Sequence, residues 1–210
     1  MRNSTMRAAA VAATLLSLAA PAAAGTAEDF IKRLLAREPA VGESYACFDR
    51  LYDAAHLASH PQQNVRAMTL LVKYTIEAHP EPGEAPRYEV RIGVDFRKTK
   101  RMKEVDGECS ALHPEGDPTG PVKAHCAVAC DGGSIDVALK DNGAMLVTIP
   151  DGAKTWTPGA DDAEDEGDKA VLHGGFGPDD KLFRLDRAEM KRCLALAADK
   201  QEKAQILRQH

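Results

Sequence analysis

Apolar and polar positions repeat with two different periods along this chain, and the switches between them predict its elements. Phe30, Ile31, Leu34 and Leu35 recur on one helical face between a capping-box pair, Thr26 and Asp29, and the stop at Pro39. A short amphipathic helix is expected there. A second helix is expected after Gly42. Ser44 can cap it, and Cys47, Phe48, Leu51, Tyr52 and Ala55 keep i, i+3, i+4 spacing up to Pro61, with Asp53 as an alternative start of a short turn. From Val65 the period falls to two. Residues 65–76 read as a long strand, and Tyr88, Val90, Ile92, Val94 and Phe96 as a second, across a proline-rich loop at 79–86. Residues 122–130, 135–140 and 144–149 read as a three-stranded meander. Its second turn, Asp141-Asn142-Gly143, predicts a type I′ geometry with Asn142 and Gly143 both at positive φ. A weaker strand pair falls at 170–172 and 182–185. Asp186 and Glu189 then open a long helix with Met190, Cys193, Leu194 and Ala197 on one face.

Six to eight antiparallel strands between terminal helices define an α+β class, an antiparallel curved sheet or small β-barrel with N-terminal and C-terminal helices packed on it. The expected organisation is one domain over 25–210, helical at 25–62, β-rich at 63–185 and a helix at 186–210. Strand-helix-strand alternation is absent from the sequence, which argues against a doubly wound sheet, and the sequence has no internal repeat.

The first residues change the picture of location. Arg2 and Arg7 precede an uncharged run from Ala8 to Ala20, followed by Pro21 and Ala22-Ala23-Ala24-Gly25. This is the pattern of a secretory signal peptide over 1–24, cleaved after Ala24. A periplasmic or secreted monomer is expected. Removing two arginines and no acid would take the net charge from −5 to −7. The acidity, and ten aromatic residues in all, argue against nucleic acid as a partner. No later stretch reaches the ~18 apolar residues of a transmembrane helix.

All five cysteines, Cys47, Cys109, Cys126, Cys130 and Cys193, follow that leader. Export favours pairing. Cys109 with Cys126 suits a hairpin register, and Cys47 with Cys193 would pin the terminal helices together, leaving Cys130 free. A metal site is the competing reading, built either from Cys126, Cys130 and His125 or His113, or from His56 and His60 at i, i+4 with Asp53 nearby. The Cys126 to Cys130 spacing is not a standard zinc pattern, Asp131 stands where haem attachment needs a histidine, and Leu57 replaces the glutamate of H-E-x-x-H. His60, just before Pro61, suits a helix end better than a ligand. No cofactor is expected.

The segment from Cys47 to Gln62, Cys47-Phe48-Asp49-Arg50-Leu51-Tyr52-Asp53-Ala54-Ala55-His56-Leu57-Ala58-Ser59-His60-Pro61-Gln62, and the turn from Cys126 to Gly133 resemble secreted bacterial proteins of uncharacterised function. The resemblance implies a bacterial, exported chain and brings no activity.

Two charge runs remain. Arg97, Lys98, Lys100, Arg101 and Lys103 make a basic edge that can face an anionic partner. Residues 161–168 carry six acids, and from Asp162 they place Gly167 at the sixth EF-hand position but His173 at the twelfth, where calcium binding needs a glutamate. None of the serines after the leader, Ser44, Ser59, Ser110 and Ser134, stands in G-x-S-x-G. The expectation is therefore a non-catalytic periplasmic binding or inhibitor-like protein, its protein or small-ligand partner unidentified. The alternatives are a metal-dependent or hydrolytic enzyme centred on His56 and His60, and an envelope-associated structural protein acting through the basic edge.

Overall fold

Period-two alternation continues around the molecule until the last strand meets the first. The computed structural model describes residues 26–112, 122–129, 131–158 and 175–209. The leader, His113, Cys130, the acidic run 161–168 and the strand expected at 170–172 lie outside the described residues. Eight strands form a closed antiparallel barrel in chain order: β1 (Gly42–Leu51), β2 (Val65–Ile76), β3 (Arg87–Phe96), β4 (Lys103–Leu112), β5 (Lys123–Val128), β6 (Ser134–Leu139), β7 (Met145–Thr148) and β8 (Leu182–Arg187). Eight strands give an interior just wide enough for side chains to fill. Phe48, Leu70, Ile92, Ile135, Met145 and Phe183 fill it here, each at most 1% exposed.

Helix α1 (Ala27–Leu35) forms as its sequence predicts. Asp29 N donates to Thr26 Oγ1 at 3.1 Å, and Thr26 N donates to Asp29 Oδ2 at 3.2 Å. Its apolar face, Phe30, Ile31, Leu34 and Leu35, joins the same core as the barrel interior. The helix lies across one end of the barrel. Arg33 donates to Lys140 O in the β6–β7 turn at 3.0 Å, and Arg187 of β8 donates to the α1 carbonyls of Arg33 and Leu34 at 2.9 and 2.8 Å. At the start of β2, Asp180 clips the segment before β8 in place. Its carboxylate accepts from the amides of Asn64, Gly177 and Val65, and a Cβ on Gly177 would lie 2.1 Å from Gln62 O.

Four expectations are corrected. Residues 42–51 are a strand, not the start of a second helix, so 25–62 is not a helical region. Ala46 and Phe48 enter the barrel core while Tyr45 and Cys47 are covered from outside. Burial on both faces hides the period of two and leaves apolar spacings that also fit a helix. The alternative at Asp53 holds: its side chain accepts from His56 N at 2.7 Å and caps α2 (Ala54–Ser59). Strand β4 was not expected at all. Its inward positions include Gly107, where a Cβ would meet Cys126 Cβ at 3.0 Å, and the disulfide-bonded Cys109, so its apolar signal is thin.

The long C-terminal helix is instead a 3-10 helix (Met190–Leu196) followed by α3 (Lys200–Arg208). Met190, Cys193 and Leu196, spaced by three, share one buried face, as a three-residue turn requires. Glu189 makes no capping bond, Asp186 belongs to β8, and Asp199 caps α3 by accepting from Glu202 N at 2.8 Å. In the β6–β7 turn only Gly143 has positive φ, at 79°. Gly143 N bonds Lys140 O at 3.0 Å, and Lys140 N bonds Ala144 O at 2.9 Å. That is a three-residue loop with a glycine bulge rather than a type I′ turn.

Candidate functional site

His56 on α2 and His60 at its C-cap have their rings stacked, centroids 4.2 Å apart and planes 20° from parallel. One nitrogen of each ring already has a partner. His56 Nε2 is 3.0 Å from Gln63 Oε1, and His60 Nδ1 is 2.9 Å from His56 O. The stack continues to Tyr52 at 4.6 Å. Lone pairs in two parallel planes do not converge on one ion, and among the described residues no group of three or more His, Cys, Asp or Glu is placed to hold a metal.

The cysteines are brought together as two pairs. Cys109 and Cys126 face each other across β4 and β5 with sulfurs 2.07 Å apart, and Cys47 on β1 meets Cys193 on the 3-10 helix at 2.05 Å. The second pair therefore ties a strand to the C-terminal layer rather than helix to helix. The basic edge is divided by the β3–β4 turn. Arg97 donates to Leu57 O of α2, and Lys103 is 8% exposed with its Nζ 2.8 Å from Thr157 Oγ1. Lys98, Lys100 and Arg101 are exposed on the turn.

His125 is placed differently from the sequence expectation. On the outer face of β5 its Nδ1 lies 2.7 Å from Asp136 Oδ1, whose other oxygen accepts from Lys123 Nζ at 2.7 Å. Burial alone would raise the Asp136 carboxyl, but Lys123 and His125 hold it below its ordinary value. Ser110 is the β4 register partner of His125.

A cleft of about 360 Å³ opens where β8 leaves β1, lined by Leu35, Ala36 and Arg37 beyond α1, Tyr45, Ala46 and Cys47 on β1, Arg187, Ala188 and Met190 at the β8 exit, and Gln209 beyond α3. Strand β8 pairs with β1 only at Phe48 and Asp49, after which Ala188 N bonds Cys47 O at 2.9 Å. Among the described residues no strand runs along Glu43–Cys47 on that side. The Gln209 side chain fills part of the gap. Its Oε1 accepts from Tyr45 N at 3.0 Å, and its Nε2 donates to Glu43 O at 2.5 Å. Arg37 also donates to Gln209 Oε1. Arg187 lies with its guanidinium carbon 4.7 Å from the Phe48 ring centroid, and this partial burial lowers its pKa. Among the described residues, no acidic side chain lines the cleft.

A buried polar network behind the cleft sets where Gln209 falls. Glu202 of α3, 7% exposed, accepts from Arg91 Nη1 and from Ala198 N, both at 2.5 Å. Lys73 lies 4.0 Å from it and 2.9 Å from Glu89. Burial would raise the Glu202 carboxyl, yet Arg91, the Ala198 amide and Lys73 together hold it below its ordinary value. The Tyr45 hydroxyl donates to Glu43 Oε2 at 2.6 Å. Burial first, then this bond and the Glu202 charge, push its pKa far up.

Arg37, Arg187, Tyr45 and Gln209 were not legible as a site. Glu43 and Gln209 are 166 residues apart, and the helical reading of β1 hid the strand edge that joins them. No family model, curated protein or solved structure matches this chain. Among the described residues, no helix is long and apolar enough to cross a membrane.

Proposed function

We propose that this chain is an exported, non-catalytic binding protein of the periplasm or cell exterior, acting on another macromolecule through its outer surface. The observation that carries the reading is an open cleft on a barrel whose own interior is filled by side chains, so that recognition has an outer groove to use and no lumen. The leader-like pattern of residues 1–24 and two cysteine pairs at bonding distance support export. Intact mass under native and denaturing conditions, on protein recovered from the cell envelope, tests it. The expected result is a chain lacking residues 1–24 that carries a macromolecular partner lost on denaturation. A full-length chain, or native protein with no partner at all, overturns it.

A second reading, hydrolytic, is favoured by the row formed on neighbouring strands by Ser110, His125 and Asp136. A nucleophile, a base and an acid orienting that base stand in this order in serine hydrolases. Fluorophosphonate labelling at Ser110, abolished by His125→Ala, would establish it in place of the first. This anchor replaces His56 and His60.

A further inference from the structure

We propose that the cleft takes an extended, acidic segment of a partner polypeptide as an added strand on the β1 edge, in the place now held by the Gln209 side chain. This rests on the binding reading above and names the partner's chemistry. In a strand, each residue turns its N–H and C=O to the same side, and neighbours alternate. Glu43 O and Tyr45 N meet Gln209, and Cys47 O meets Ala188, so the odd-numbered residues face the cleft. By the same alternation Tyr45 O and Cys47 N point there too. The Gln209 carboxamide carries one such donor and acceptor, and its bonds to Glu43 O and Tyr45 N are the pair that the N–H and C=O of a single residue in an added parallel strand would make. An edge of this kind recruits strands when left uncovered.

Charge selects among strands. Arg37 and Arg187 line the cleft, none of whose described lining residues is acidic, and Arg187 is held by two α1 carbonyls and the Phe48 ring. A carboxylate on the incoming segment supplies the planar, two-oxygen acceptor that guanidinium groups match. Gln209 lies beyond α3, so rotation of one side chain opens the edge while Glu202 and Arg91 keep the helix docked. The side chain is thus a built-in competitor that lowers the apparent affinity for the partner strand.

The test titrates the intact disulfide-bonded protein with a probe, the capped hexapeptide acetyl-Thr-Val-Asp-Val-Thr-Asp-amide, while backbone amide signals are followed. Three matched probes accompany it: one N-methylated at alternate amides, one with lysine for aspartate, and hexanoate as a bare carboxylate. The expected result is movement of the Tyr45 and Cys47 amides by the acidic peptide alone. Gln209→Ala should tighten that binding about tenfold, and Arg37→Glu should weaken it by a similar factor. Gln209→Glu keeps the side-chain size but loses the donor to Glu43 O, and should fall between wild type and Gln209→Ala. Equal binding of the N-methylated peptide, no gain in Gln209→Ala, or hexanoate alone matching the peptide overturns strand addition. So does concentration-dependent dimerisation of Gln209→Ala without peptide binding, which would make a second copy the occupant. Each of these leaves the binding reading standing if native mass finds a partner, whereas a bare native protein removes that reading whatever the hexapeptide does.

Discussion

Helix α1 puts four apolar side chains into the barrel core, whereas α3 buries Ile206 and Glu202 and depends on Arg91 and Lys73 for its seat. Both flank the same barrel, yet one is a plug and the other a latch. Apolar burial scales with area and is insensitive to charge state. A buried ion pair is worth its seat only while both partners stay charged and hydrogen-bonded. The two helices should therefore fail under different insults.

The largest effect is expected at the plug. Leu34 is 0% exposed, and Leu34→Ala should cost about 4 kcal/mol, within the range of cavity-forming core truncations, and lower the whole denaturation curve. At the latch, Glu202→Gln removes a charge but keeps the shape. A loss of about 2 kcal/mol is expected, with hydrogen exchange rising first in α3 and the 3-10 helix. Uniform exchange across the barrel in that variant would erase the distinction.

Acid should separate the helices without mutation. The Glu202 carboxyl sits below its ordinary 4.5 in the folded chain, so its contribution is complete above that value and is lost as pH falls through the lowered one. Amide protection factors in α3 should fall below about pH 4.5 while those of α1 hold, and Glu202→Gln should remove the difference. The smallest effect belongs to the cap: Asp199→Ala should cost about 1 kcal/mol and be seen in α3 alone.

The same contrast governs what the sequence reveals. Helix α1, strands β2 and β3 and the β5–β7 meander are legible because each buries one clear face or is bounded by Gly, Asn, Asp or Pro turns. Strand β1 was misread because the barrel and the C-terminal layer bury it from both sides. Strand β4 was passed over because a glycine and a bridged cysteine stand where apolar side chains usually announce a strand. The latch is hidden for an electrostatic reason: a glutamate on a helix reads as solvent-facing until Arg91 is brought beneath it. The cleft needs both β1 and Gln209, and no local pattern links them.

The Cys47–Cys193 bridge also has a consequence for the order of assembly. Strands β1 to β7 each pair with their successor, so most of the barrel can form as the chain is made, from contacts close in sequence. Closure cannot, because β8 must come back to β1, and the bridge that secures the C-terminal layer joins residues 146 positions apart. Until β8 is made, then, β1 waits with one side uncovered. A nascent chain halted before Leu182 would hold seven strands of the barrel with the first seam still open, and one halted between Arg187 and Cys193 could close it but not lock it.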